Sequence, residues 1–237
     1  MKTSVQYRGA FLAILGFAVI AGSAQAQDQN AYLYIAHAAS GRVMSSTANP
    51  ALPVDINVSG VCVAQGISYG EIRGPYAGPA GTYSVTVSTA NVASPCGGAV
   101  VFSATAPLSA GNTFIGVIAL NSLNQPVGLL YSADLSPIPA NLSRFEVINV
   151  TQASLIATIT STTTGTAAVG VDPGTLQEGY VATGLYTSSI TDTSNNLLAG
   201  PISAEFAQRN SYLYVLAGSP DLASVQLIGP KVIGGVI

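Results

Sequence analysis

The 237 residues contain no tryptophan, a single histidine and only 7% charged residues. Without an indole, the chain lacks the amphipathic ring best suited to a sugar-stacking face. Seven Lys and Arg against ten Asp and Glu leave no basic cluster, so nothing here provides the electrostatic footprint of a DNA- or RNA-binding protein. A lone histidine, His37, has to serve any Ser-His-Asp or Cys-His site. The acids are scattered singly, with neither the paired carboxylates of glycoside cleavage nor the dense oxygen spacing of a calcium loop. No catalytic residue, metal site or cofactor is expected, and the chain does not read as an enzyme.

The few charges there are begin at the N-terminus. Lys2 and Arg8 precede an apolar run from Ala10 to Ile20, and Ser23-Ala24-Gln25-Ala26 supplies small residues. That order is the secretory leader layout, with cleavage expected after Ala26. The run is shorter than the ~20 residues needed to span a bilayer, and no later stretch is a transmembrane candidate. Loss of the leader leaves five basic residues against ten acidic ones, a net of −5. Two cysteines, Cys62 and Cys96, remain. In an oxidising compartment they read as one disulfide; without a C-x-x-C spacing or a nearby histidine they make a poor metal or redox pair.

What the chain has in quantity is strand text, and it has it twice. Gly66-Ile67-Ser68-Tyr69-Gly70, then Tyr76, then Gly81-Thr82-Tyr83-Ser84 is answered by Gly170-Val171-Asp172-Pro173-Gly174, then Tyr180, then Gly184-Leu185-Tyr186-Thr187. Asn112-Thr113-Phe114-Ile115-Gly116-Val117 is answered by Asn210-Ser211-Tyr212-Leu213-Tyr214-Val215. A repeat this long predicts two similar domains rather than a solenoid. Residues 31–38 alternate large and small as a half-buried strand does, and 54–58, 61–64, 83–88, 100–106, 114–120 and 126–131 follow as strands. The second copy predicts strands at 144–150, 156–160, 167–171, 186–191, 202–206, 212–217 and 225–228. Short strands separated by Gly, Pro and Asn turns indicate sandwiches. The boundary is placed at Pro137 and Pro139, giving a signal peptide over 1–26 and domains over 27–139 and 140–237. Tyr83 and Tyr186, each at a strand start after a Gly turn, are set as tyrosine corners.

The string Pro53-Val54-Asp55-Ile56-Asn57-Val58-Ser59-Gly60, then Gly70, Tyr76 and Pro79-Ala80-Gly81-Thr82-Tyr83-Ser84-Val85-Thr86-Val87, with the opening strand and its His37, resembles domain-of-unknown-function family 4397. The resemblance covers the first domain closely and the second loosely, where Thr183-Gly184-Leu185-Tyr186 stands in place of the Ala-Gly-Thr-Tyr text. After His37 the family's usual Ser-Pro-Asp-Ala-Pro is replaced by Ala38-Ala39-Ser40-Gly41-Arg42. It implies an exported bacterial protein with tandem, all-β, immunoglobulin-like domains, and it carries over no catalytic residues. The fold expected is therefore all-β, two tandem immunoglobulin-like β-sandwich domains behind a cleaved signal peptide.

The side chains left as candidates for binding are His37, Tyr69 and Tyr76. Exposed tyrosines stack on sugars or anchor a protein partner, whereas buried ones fill a core with the hydroxyl at its rim. For His37 the structural reading is a ring bonded to a loop carbonyl. Asp55, in a period-two strand, either faces solvent or bonds a turn. The function expected is an exported, non-enzymatic binding or structural protein of the bacterial envelope or surface, with an envelope, matrix or protein partner. The alternative is a hydrolase of envelope polymers or polysaccharide, built on His37 or on carboxylates that the fold brings together.

Overall fold

Runs of Val, Ile, Thr and Tyr become strands where a neighbouring strand takes up their backbone N–H and C=O groups. In the computed structural model, which describes residues 29–44, 48–161, 163–219 and 224–233, this happens along most of that length. The leader expected over residues 1–26 lies outside the described residues. The first half contains β1 (Asn30–His37), β2 (Val54–Val58), β3 (Val61–Ile67), β4 (Ile72–Pro79), β5 (Gly81–Thr89), β6 (Val100–Leu108), β7 (Thr113–Leu120) and β8 (Pro126–Ser132). The second contains β9 (Leu142–Asn149), β10 (Leu155–Ser161), β11 (Gly165–Val171), β12 (Leu176–Ala182), β13 (Gly184–Thr191), β14 (Leu197–Phe206), β15 (Ser211–Ala217) and β16 (Gln226–Ile233). One helical turn, α1 (Gly41–Met44), follows β1.

The strands form four sheets of four. The first half has an inner sheet ordered β4-β1-β7-β8 and an outer sheet ordered β3-β2-β5-β6. Adding eight to every label reproduces the second half, with an inner sheet β12-β9-β15-β16 and an outer sheet β11-β10-β13-β14. The sequence repeat is therefore a repeat of eight strands. Gly66 and Gly170 lie on β3 and β11, Tyr76 and Tyr180 on β4 and β12, and Tyr83 and Tyr186 on β5 and β13. The Tyr83 hydroxyl donates to the Pro79 carbonyl, and the Tyr186 hydroxyl to Ala182 O at 2.8 Å, four residues upstream in each copy.

Two strands escaped the sequence reading, and they are equivalent: β4 and β12. Their text, Ile72-Arg73-Gly74-Pro75-Tyr76-Ala77-Gly78-Pro79 and Leu176-Gln177-Glu178-Gly179-Tyr180-Val181-Ala182, is punctuated by glycine and, in β4, by proline. Both sit at the edge of an inner sheet, where a missing donor or side chain is tolerated.

Three cores run through the described residues. Leu33, Ile35, Ile56 and Val87 fill the space between inner and outer sheets of the first half; Phe145, Val147, Ile159 and Tyr214 do so in the second. The third core lies between the two inner sheets: Tyr34, Ala36, Ile115 and Val117 pack with Ile148, Leu213, Val215 and Ile228. The order of layers is outer, inner, inner, outer, so the central inner strands β1, β7, β9 and β15 have no solvent face. Every residue of β15 is buried, as is all of β9 after Leu142. The half-buried reading of residues 31–38 is corrected here: β1 is covered on both faces, and its alternation separates two cores rather than core from water.

The inner sheets also contain parallel pairs, β1 with β7 and β9 with β15. Parallel strands are covered on both faces and read as near-continuous apolar runs, which is the text of Tyr212-Leu213-Tyr214-Val215-Leu216-Ala217.

A core shared between the halves couples their stability. Leu213→Ala, at a fully buried position between the inner sheets, is expected to cost about 3 kcal/mol. Calorimetry of the purified protein should show one unfolding transition that this substitution lowers as a whole; two separable transitions, only one of them shifted, would contradict the coupling.

Candidate functional site

His37 ends β1 with 0% of its surface exposed. The Ala39 N–H donates to Nδ1 at 3.3 Å, so the ring proton sits on Nε2 and is donated to the Leu52 carbonyl at 2.8 Å. Burial holds its pKa below the usual histidine value, against the opposing pull of the Leu52 bond and the Glu71 charge. In the second copy the strand register puts Asn149 at this place: His37 lies beside Ile118, and Asn149 beside Leu216. Asn149 is also fully buried. Its Oδ1 accepts from the Thr151 N–H at 2.9 Å, and its Nδ2 donates to Ala153 O and Val171 O at 2.8 and 2.7 Å. The backbone repeats too: Gly70 N–H donates to His37 O, and Gly174 N–H to Asn149 O. An amide performs in one copy the bonding that an imidazole performs in the other, so the packing at this position does not require a titratable group.

Tyr69 meets His37 edge-on, with ring centroids 6.4 Å apart, and burial pushes its hydroxyl up to about 12. It packs on the core between the inner sheets, whereas Tyr76 packs on the first sandwich's own core. Burial raises Tyr76 as well, opposed by the Arg73 charge. The fold brings His37 and Tyr69 together and places Tyr76 against a different core.

Cys62 and Cys96 form a disulfide with a Cα–Cα distance of 5.8 Å. A bridge of this kind fits an extracytoplasmic location. Next to it, Asp55 is 2% exposed and bonds turns, one of the two options its sequence position left. Its carboxylate accepts the N–H of Gly66 at 2.9 Å, of Asn91 at 3.2 Å and of Cys96 at 2.9 Å. Burial works to raise its pKa, but the three N–H donors outweigh it and the net shift is downward.

The densest group of charges was not anticipated. It lies where the connector after β8 meets the second half. Arg144 of β9 is completely buried and pairs with Asp134 at 2.9 Å. It also donates to the Asp134 carbonyl, to Ser136 O at 3.1 Å, to Ser136 Oγ at 2.8 Å and to the Tyr180 hydroxyl at 2.9 Å. Its guanidinium lies 5.3 Å from the centre of the Tyr180 ring. Hydrogen bonds from Ser136, with the Arg144 charge adding to them, lower the Asp134 pKa. Two residues along the same face of β9, Glu146 is 0% exposed, and neither carboxylate oxygen has a hydrogen-bond partner among the described residues. Glu178 stands opposite it on β12. Burial first, then Glu178 and Asp134, push Glu146 up to about 8, against the attraction of Arg144. Glu146 is thus an uncharged acid at neutral pH, enclosed in the junction. The sequence offered one clue, Arg144-Phe145-Glu146 at alternating positions in an apolar strand, but a second buried face is needed to read it.

Among the described residues no group of three or more His, Cys, Asp or Glu is placed to hold a metal ion, and no helix is long and apolar enough to cross a membrane. The fold defines an all-β protein of two eight-strand repeats, each a sandwich of two sheets. The pattern described as Domain of unknown function (DUF4397) matches residues 31–156, more than half of the chain, and the chain belongs to that family. The match runs from β1 through the first half and β9 to the start of β10. No curated protein matches the sequence. Among solved structures the chain is similar to the Bacillus anthracis TIE protein, at 11% identity over 80% of this chain and 33% of that one, with a TM-score of 0.25. It thus spans about a third of that protein's length. It is also similar to a candidate cell adhesion protein from Bacteroides uniformis, at 10% identity over 87% of this chain and 99% of that one, with a TM-score of 0.27.

Two carboxyls give opposite pH behaviour. The Asp55 pKa is lowered on folding, so its contribution is complete above the ordinary carboxylate range and is lost as pH falls through the lowered value. Asp55→Ala, which strands three N–H groups, should cost about 3 kcal/mol at neutral pH in urea unfolding. For Glu146 the folded state keeps its proton to about 8, while the unfolded chain releases it near 4.5. Its contribution therefore falls as pH rises between those values and levels off above. The wild-type protein should lose on the order of 3 kcal/mol from this group between about pH 5 and about pH 9, and Glu146→Gln should remove most of that slope.

Proposed function

We propose that this is an exported, non-enzymatic binding or structural protein of the bacterial envelope or surface, secreted or periplasmic, working through its outer sheet faces. The observation that carries this reading is the chemistry of those faces. On the first outer sheet Ser84, Ser103 and Thr105 are exposed, and Thr86 Oγ1 lies 3.2 Å from Ser103 Oγ. On the second, Thr166 bonds Thr160 at 3.4 Å, with Thr187 exposed beside them and Glu205 on the edge strand. Ladders of hydroxyls with few charges suit hydrogen bonding to a neutral, hydrated polymer or to an uncharged protein surface. The four-layer stack turns the two faces to opposite sides of the molecule, so each offers its own surface to such a partner.

The hydrolase alternative would have to use Glu146 with Glu178, the acid pair among the described residues with a strongly raised member. Full enclosure of Glu146 leaves a substrate no approach to it, and this supports the non-enzymatic reading. The deciding experiment incubates the purified protein with bacterial envelope fractions and insoluble polysaccharides. Retention that persists at high salt is expected, since charge contributes little to these faces. Release of soluble sugar or peptide fragments that is lost in Glu178→Gln would instead establish the hydrolase.

A further inference from the structure

The two copies differ at one place in a way that their function need not have required. In the first, Gly116 of β7 lies beside Ile35 of β1; in the second, Tyr214 of β15 lies beside Val147 of β9. One strand over, Gly128 of β8 faces Ile118, and Leu227 of β16 faces Leu216. The register thus makes Gly116 the counterpart of Tyr214, and Gly128 the counterpart of Leu227. Two glycines stand where the repeat has a tyrosine and a leucine.

In the second copy Tyr214 is buried at 2% exposure, and its hydroxyl shares a hydrogen bond with Ser188 Oγ at 2.9 Å. The space left around it, lined by Val147, Ile190 and Leu227 among others, is about 10 Å³, which is below or at the limit for one water. In the first copy the corresponding space is a crevice of about 80 Å³. Its walls include Leu33, Ile35, Val87, Phe102 and Leu129, and they are almost wholly apolar. The crevice reaches β6 and β8, the edge strands of the two sheets, where Leu130 is 37% exposed. The partner of the Tyr214 hydroxyl has changed in step: Tyr83 and Tyr186 set the register of β5 and β13, so Val85 occupies the place of Ser188. A polar anchor is lost together with the ring it anchored.

We propose that the first sandwich binds the apolar end of a small molecule in this crevice. The ligand class is an uncharged aromatic or short alkyl group about the size of the Tyr214 side chain, without a hydroxyl on its buried end. Any polar part remains outside, between β6 and β8. An apolar space of this kind offers water few hydrogen-bond partners and gains by admitting an apolar guest, and a ring in the other copy defines the shape that fits. This site is separate from the outer faces and stands whether or not envelope fractions retain the protein.

Toluene titrated into the purified full chain, up to its aqueous solubility, tests the assignment by backbone amide chemical shifts. Saturable shifts are expected at Gly116, Gly128 and their neighbours on β6, with p-cresol binding at least tenfold more weakly because Val85 offers its hydroxyl no partner. Gly116→Val fills the space from inside. A Cβ at Gly116 meets its nearest atom, Leu33 Cδ1, at 3.5 Å, an ordinary contact, so folding should survive while toluene binding drops at least tenfold. Ala104→Leu, on the β6 wall, is the second variant should the first fail to fold. Absence of saturable shifts in the wild-type protein, or equal binding in the filled variants, would overturn the proposal.

Discussion

The contact between the two inner sheets constrains everything else in this molecule. Leu213, Val215, Ile115 and Val117 face each other across it, and none keeps more than 1% of its surface exposed. Because each inner sheet is covered on its other face by its own outer sheet, the strands at the centre have no water to face at all. Parallel pairing of β1 with β7 and of β9 with β15 belongs to that environment. So do the small residues Ala36, Ala38, Ala119 and Ala217, which allow close approach of the layers.

A junction of this kind is severe on charge. Arg144 is accommodated because Asp134, Ser136 and Tyr180 give its terminal nitrogens acceptors and its plane a ring face, and it thereby ties the connector after β8 to β9 and β12. Glu146 has no such shell and stays protonated instead. Asp55 shows the opposite solution, a buried carboxylate kept ionised by three backbone N–H donors beside the disulfide. Three buried ionisable groups thus take three forms: paired, neutralised and solvated by backbone.

Duplication supplies an internal control for these assignments. Where both copies need the same bond, chemically different residues fill the position, as His37 and Asn149 do at the end of the first inner strand. Where a copy has been released from the common packing, the release is visible as missing side chains. Gly116 opens onto the crevice where Tyr214 stands in the other copy, whereas at Gly128 the Phe102 ring takes up the room.

The sequence by itself determined the all-β class, the two-fold repeat, most of the strands and the Cys62–Cys96 pairing, because periodicity, turn residues and cysteine count are local signals. It left β4 and β12 unread, since glycine and proline at a sheet edge look like loop until a partner strand satisfies their backbone. It also left open whether His37 and the tyrosines face outward. That choice, along with the burial of Arg144 and Glu146, depended on packing one sandwich against the other. A strand with one solvent face and a strand between two cores share the same alternation. Only tertiary structure says what lies on each side, because burial belongs to the pair of surfaces in contact and not to either stretch of chain.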